Sequence, residues 1–479
     1  MAGDAGVRID NHRGNVAIAA ALTALACVYY FALLTDGDWN PFGTELCALL
    51  FNDMLAHLLR GEVTIDPAII RGEAFIRNGQ TIAYWGIFPA FLRLPLIPLG
   101  VLYELQIARL SCWLAVCGLA GFLVATLVVV YRRSAPSPAR TVLFHTLVIG
   151  TLFAGAVLTS LASAYVYNEP VFWAAALSVA FNYLVLRRIL VGAPLQSRDL
   201  LVLAGIAGLA LNCRVLEGIG LYLAMGWILF LTLFVSERAI GAGLRKVLAP
   251  ALILAAFIAI CGTVNYLRWG SPLTFMDLRL HVQIAENPHR LAVLNAFGEL
   301  NLLRLPFSLS YYFLGRSWIE ELQPLFSGLH DLYDKIEGPP SAFVLTATAP
   351  LLLAALGFRH VFRRQALLPS GGALLAGVLV AELVSIGFLL AADYLAMRYR
   401  MDFVPAMSLA AALGYHFLTT KMAIPSRTVT GAVLLTIVSV VASHAALVQY
   451  KAQGGSEREE ARIFWQQYQC AKNPGNCSR

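Results

Sequence analysis

Apolar residues in this chain come in long unbroken runs with charged residues at their ends, unlike the period of an amphipathic surface helix or the alternation of a half-buried strand. Eleven runs, at approximately 15–34, 109–131, 141–163, 171–187, 200–214, 217–235, 248–266, 343–358, 370–391, 403–420 and 428–448, predict membrane-spanning helices. A spanning helix needs roughly 20 residues. The expected fold class is therefore an all-α polytopic membrane protein. The connections are unequal. Two long loops, 35–108 and 267–342, and a tail lie on one face, whereas every connection on the other face is short. This divides the chain into an N-terminal transmembrane module, 1–266, which carries the first loop; the second loop, 267–342; C-terminal transmembrane helices, 343–448; and a tail, 449–479.

Within the first loop, Gly86 to Ala108 is apolar enough to span but contains Pro89, Pro95, Pro98 and Arg93. Each proline removes a backbone donor, and a span here would put Arg132 and Arg133 on the wrong side. The segment reads as lying on, or dipping into, the outer interface. Thr44 is placed to cap a helix from Glu45 to Arg60, stopped by Gly61. Its apolar row of Leu46, Leu50, Met54 and Leu58, with Asp53, His57 and Arg60 to the side, suits a helix lying flat on a membrane. The first run, preceded by Arg8 and Arg13, reads as an uncleaved span, although Ala24-Leu25-Ala26-Cys27 faintly resembles a lipoprotein cleavage site.

Composition agrees with this pattern. The chain is 59% apolar and 13% charged with mean hydropathy +0.70, whereas soluble proteins carry about 25% charged residues. That excludes a secreted disulfide scaffold, a disordered chain and a soluble nucleic-acid binder. The net charge of +7 reports topology. With eleven spans, Arg8, Arg13, Arg132, Arg133, Arg140, Arg187, Arg188, Arg198, Arg238, Arg245, Lys246, Arg359, Arg363, Arg364, Lys421 and Arg427 share one face with only four acids, Asp4, Asp10, Asp199 and Glu237. Basic residues in short connections resist translocation, so the N-terminus is expected inside and the long loops and C-terminus outside. Cys470 and Cys477 then lie outside, where they can form a disulfide loop or remain two free thiols. The other cysteines lie in or near spans, as packing material. The histidines show no paired metal spacing, so no His-built metal site is expected.

Four polar sets gather at the expected outer surface. The first is Asp36, Asp38 and Glu45 after the first span. The second is Tyr165-Val-Tyr-Asn-Glu169-Pro, the third Asn212-Cys-Arg214-Val-Leu-Glu217 and the fourth Asp393-Tyr-Leu-Ala-Met-Arg398-Tyr-Arg400-Met-Asp402. Carboxylates serve as general bases and arginines grip phosphate oxygens, so together these sets can activate a hydroxyl and bind an anionic lipid headgroup. The plainer alternative is interfacial charge: snorkelling side chains, an Arg398–Asp402 pair on one helical face, and an Arg214–Glu217 pair at i, i+3. Glu382, in the middle of a span, needs either a partner or a role.

Several strings resemble bacterial C-type glycosyltransferases. Phe51-Asn-Asp-Met-Leu-Ala-His-Leu-Leu-Arg-Gly-Glu62 and Glu73-Ala-Phe-Ile-Arg-Asn-Gly-Gln-Thr-Ile-Ala-Tyr84-Trp-Gly-Ile-Phe-Pro-Ala-Phe-Leu-Arg-Leu-Pro95 resemble that family's first outer loop. Tyr167-Asn-Glu169, Asn265-Tyr-Leu-Arg-Trp-Gly-Ser-Pro272 and Arg398-Tyr-Arg-Met-Asp-Phe-Val-Pro405 are similar to later strings in such proteins, in the same order. The family also places large outer loops after spans one and seven. The resemblance implies transfer of a sugar from a polyprenyl-phosphate-linked donor to a lipid, glycan or protein acceptor at the outer face. The transfer would invert the anomeric centre, with a carboxylate base shortly after span one. On this sequence that base is Asp36 or Asp38, with Glu45 third.

In that chemistry the carboxylate takes the acceptor's proton while the departing lipid phosphate gains charge. Arg398 and Arg400, then Arg214 and Arg268, are the candidates to stabilise it, and Glu169, Tyr167, Glu73 and Tyr84 are placed to orient sugar hydroxyls. The proline-broken segment is a candidate lipid-tail entrance. These residues identify no cofactor, and a divalent cation is compatible with them. The partners expected are the donor and membrane lipids, with no nucleic acid; the sugar, the acceptor and the oligomeric state are not readable. Rival classes are a secondary transporter built around Glu382 and the glycines Gly371, Gly372 and Gly377, a surface-polysaccharide polymerase or ligase, and a non-enzymatic assembly subunit. The one Asn-x-Ser/Thr sequon, Asn476-Cys-Ser, sits at the extreme C-terminus, which favours a bacterial inner membrane.

Overall fold

A computed structural model describes residues 2–135, 137–236, 240–315, 332–338, 342–362, 371–453 and 455–472. All eleven runs are helical: α1 (Ala2–Leu34), α2 (Ala108–Tyr131), α3 (Pro138–Phe153), α4 (Asn168–Val191), α5 (Ser197–Leu211), α6 (Val215–Leu231), α7 (Ile240–Trp269), α8 (Thr348–Phe362), α9 (Gly372–Ala391), α10 (Val404–Lys421) and α11 (Ser426–Gln453). Counted with their flanking turns, nine of these are long and apolar enough to cross a membrane among the described residues. The other two, α5 and α8, have 15 residues each, a length of about 22 Å at 1.5 Å per residue. The protein is a multi-pass, all-α membrane protein.

Small residues set the helix packing. A Cβ on Gly357 of α8 would fall 1.9 Å from the Ala410 carbonyl of α10, and one on Gly414 would fall 1.9 Å from the Leu353 carbonyl. The two backbones thus touch, which holds the short α8 against its neighbour. Helices α2 and α4, and α6 and α9, also pack closely against each other. The lipid-facing side of α7 carries exposed Leu244, Leu248, Leu252 and Ile258.

The two long loops meet on one side. Strands β1 (Phe75–Arg77) and β2 (Gln80–Ile82) pair antiparallel in the first loop. Phe75 bridges to His281 of the second loop, and the Val282 amide donates to the Ala74 carbonyl at 3.0 Å. The second loop returns to the transmembrane part through β3 (Lys335–Ile336), parallel to β4 (Tyr394–Leu395). The C-terminal helix α12 (Gly455–Lys472) packs Trp465 against the first loop's apolar core and sets Phe464 under Arg71. Cys470 is disulfide-bonded; Cys477, its expected partner, lies outside the described residues.

Two local expectations change. The helix expected from Glu45 begins only at Leu50, because 45–49 is a turn with Cys47 at φ 52°, and Thr44 caps nothing. Nor does its sequence face lie on a membrane. Leu50 to Leu55 are buried, and the polar members are satisfied within the loop: Asn52 donates to the Leu102 and Leu105 carbonyls, and Asp53 accepts from Tyr103 Oη and the Asp66 amide, both at 2.8 Å. The proline-broken segment folds as two short turns, Phe88–Phe91 and Leu94–Leu96, and does not span. It docks on the α5–α6 corner, where the Phe88 amide meets the Asn212 carbonyl at 2.9 Å.

Candidate active site

The acidic turn after α1 is strained. Asp36 and Trp39 have φ of 54° and 57°, on either side of Gly37 and Asp38. Such a conformation costs a non-glycine residue about 1–3 kcal/mol and persists only where surroundings enforce it. The enforcement is ionic. Asp36 pairs with Lys451 at the end of α11, 2.5 Å away, and the same ammonium donates to the Leu33 carbonyl that ends α1. Asp38 accepts from Arg109 Nη1 at 2.9 Å and from the Asn40 amide at 2.8 Å, leaving its side chain 51% exposed. Arg109, in the first turn of α2, also donates through Nε to Glu45 at 2.6 Å. Its guanidinium lies so close to Gly43 that a Cβ there would be 2.2 Å from Nη1. Burial pushes the Glu45 carboxyl up to about 7, opposed by Arg109 and the Ala164 amide. Glu45 is thus the enclosed anchor of Arg109, and Asp38 the open end of the same clamp.

A second cluster forms from four separate segments. Arg398, in the turn before α10, lies over the rings of Tyr167 at 4.6 Å, Tyr399 at 5.1 Å and Tyr394 at 5.5 Å. Arg214, at the start of α6, lies 4.8 Å from the other partner of that stack, Tyr399, and is gripped by Asp402 at 2.6 and 3.1 Å and by Glu217 at 3.1 Å. Guanidinium faces on phenol rings are favoured by the ring quadrupole. From the first loop come Tyr84 and Glu73. Burial works to raise the Glu73 carboxyl, but hydrogen bonds from His281 and Tyr167, aided by Arg398, hold it below the ordinary carboxylate range. Burial, reinforced by Glu73, pushes the Tyr167 phenol well up, so it stays a donor. Arg398 itself pairs with Glu337 of the second loop at 2.8 Å.

The structure therefore brings Arg398, Arg214, Tyr167, Glu73 and Tyr84 together and places Asp36, Asp38 and Glu45 in an adjoining cluster. The two are joined where the Val166 amide, next to Tyr167, donates to the carbonyl of Leu46, next to Glu45, at 3.3 Å. Three expected site residues stand elsewhere. Arg400 points away from Arg398 into the helix bundle, 3.3 Å from both Thr159 and Thr346 and stacked on Phe343, because two residues of a 3₁₀ turn separate their directions. Glu169 is fully buried and joined to Arg93 through both oxygens, with Ser111 donating at 2.5 Å. Arg268 sits behind the cluster, donating to the Trp85 carbonyl at 2.7 Å. Among the described residues no group of three or more His, Cys, Asp or Glu is arranged to hold a metal ion.

Arg109, Glu337, Tyr399 and Lys451 were not among the expected site residues. Arg109 has the look of an ordinary charged end of a span, and Glu337 sits in a loop without periodicity. Only the tyrosine-rich fourth set hinted at Tyr399.

No protein-family model and no curated protein matches this chain. Among solved structures it is similar to the archaeal oligosaccharyltransferase AglB from Archaeoglobus fulgidus in complex with an inhibitory peptide and a dolichol-phosphate, with TM-score 0.48 and 12% identity over 90% of this chain and 56% of that one. The apo form of the Archaeoglobus fulgidus oligosaccharyltransferase gives TM-score 0.47 and 10% identity over 90% and 56%. Its complex with Zn and sulfate gives 0.47 and 13% over 90% and 52%. The chain spans little more than half the length of these structures.

Proposed function

We propose that this protein is a membrane glycosyltransferase that moves a sugar from a polyprenyl-phosphate-linked donor to a lipid, glycan or protein acceptor, with inversion, at the outer face of a bacterial inner membrane. The observation that carries the reading is the convergence of two cations and three hydroxyl- or carboxylate-bearing side chains from four segments, beside a strained acidic turn. Asp38 is our choice of base over Asp36, because it is half exposed and oriented by Arg109, whereas Asp36 is tied to Lys451.

The acceptor's oxygen attacks the anomeric carbon as its proton passes to the Asp38 carboxylate. The bond from that carbon to the phosphate oxygen breaks, and its electron pair leaves with the lipid phosphate. Arg398 and Arg214, with side chains only 10% and 17% exposed, face the charge that develops there. Tyr167, Tyr84 and Glu73 orient sugar hydroxyls. A groove of about 700 Å³ between α6 and α7, lined by Leu211, Ile219, Leu223, Ile258 and Tyr266, begins within one turn of Arg214 and suits an isoprenoid tail.

The test is Asp38→Asn. Glycolipid transfer from labelled polyprenyl-phosphate sugar in proteoliposomes should fall by about 10²–10⁴, the usual share of a general base, with folding unchanged. Full activity in Asp38→Asn, Asp36→Asn and the double variant would remove the carboxylate base from this turn.

A further inference from the structure

Arg398 is already occupied by an anion, and the anion belongs to the chain itself. The Glu337 carboxylate accepts from Arg398 Nη1 at 2.8 Å, from the Met397 backbone amide at 3.3 Å and from the Tyr394 hydroxyl. A guanidinium, a backbone N–H and a phenol converging on two oxygens form a site that holds any small oxyanion. Lys335 adds a second positive charge, its ammonium 5.9 Å from the Tyr394 ring centroid. The Glu337 backbone is fixed independently of its side chain: its amide donates to the Leu395 carbonyl and its carbonyl accepts from Tyr311, both at 2.8 Å, next to the β3–β4 pairing. Moving the carboxylate away therefore needs only side-chain rotation, with the strand left in place. The pair is also at the edge of the protein interior, with side chains 10% and 15% exposed.

We infer that Glu337 is an exchangeable stand-in for the donor's phosphate: it neutralises Arg398 when the site is empty and is displaced when a lipid phosphate arrives. This rests on the glycosyltransferase reading and goes beyond it by naming an internal competitor for the donor. Such a competitor has two effects. It avoids leaving a buried cation unpaired, and it admits only ligands anionic enough to replace a carboxylate. Lipids with neutral headgroups are excluded.

The experiment measures binding of a short-chain polyprenyl phosphate to the full-length protein in nanodiscs, for the wild type, Glu337→Gln, Glu337→Ala and Arg398→Ala, with thermal unfolding recorded for each. If Glu337 holds the site most of the time, removing its charge should tighten binding by roughly 5–10-fold, since apparent affinity scales with the fraction of competent site. Arg398→Ala should lose binding. Wild-type binding that is lost in Arg398→Ala but unchanged or weakened in both Glu337 variants would overturn the stand-in and leave the glycosyltransferase reading in place. Absence of binding to folded wild type and to both folded Glu337 variants would overturn the donor reading and the stand-in with it.

Discussion

At the residue scale, the site is a set of charges whose partners define what each can do. Arg398 and Arg214 share Tyr399 as a common stacking surface but differ in their anions. Glu217, on the helix that Arg214 begins, and Asp402, in the turn before α10, grip Arg214 from two sides, so it is held rigidly. Arg398→Ala should therefore raise the KM for the donor more than that for the acceptor in a two-substrate assay; equal effects on both would contradict a phosphate-binding role. Asp393 offers a separate test. Burial, with Asp334 nearby, pushes its carboxyl from 3.8 up to about 7. The unfolded chain releases this proton near pH 4 while the folded protein retains it to about pH 7, so this group's contribution to stability declines as pH rises across that interval and is level above it. Asp393→Asn should remove that decline. Tm measured in detergent at pH 4.5, 6 and 7.5, wild type against variant, checks it, and identical slopes would refute the assignment.

At the element scale, close backbone approach does what side-chain burial does in a soluble core. Gly357→Val should separate α8 from α10 and lower Tm markedly, because the clash is with a main-chain carbonyl that has no rotamer to yield. Gly43→Ala should act differently: the obstacle is the Arg109 guanidinium, a movable end. The expected outcome is a modest loss of stability, about 1–3 kcal/mol as for other overpacked sites, with a larger loss of transfer activity as Arg109 releases Asp38. The helices themselves were legible in the amino-acid sequence, since an apolar run with arginines at its ends has few alternatives. What could not be read were starts and lengths. Leu50 rather than Glu45 begins its helix because Cys47 takes a positive φ in the turn before it, and its buried face is set by Asn52 and Asp53, which turn inward to partners up to 53 positions away. Periodicity alone cannot distinguish a buried polar position from a wet one.

At the scale of the whole molecule, the loops after α1 and α7 share one surface, and α12 lies on it too. An impermeant thiol reagent added to the outside of intact cells should label a cysteine introduced at Glu62 and leave one at Arg133 unlabelled; the reverse pattern would invert the orientation proposed from the arginine distribution. The four polar sets were legible as candidates because charged residues at span ends are few. Their pairings were not: Arg93 with Glu169 is 76 residues apart and Arg398 with Glu337 is 61, separations fixed by how the bundle folds rather than by any local pattern.

The contact between Lys451 and the turn after α1 also bears on biosynthesis. The two residues are 415 positions apart, close to the full length of the chain. At 5–20 residues per second, roughly 20–80 s pass between emergence of Asp36 and emergence of its ammonium partner. Throughout that interval the left-handed turn lacks the lysine that holds it, while Arg109 arrives within the first quarter of synthesis. The nascent protein therefore inserts ten helices with an unfinished acidic turn, and the eleventh completes it. A chain ended before Lys451 would leave Asp36 without the ammonium that it pairs with in the folded protein.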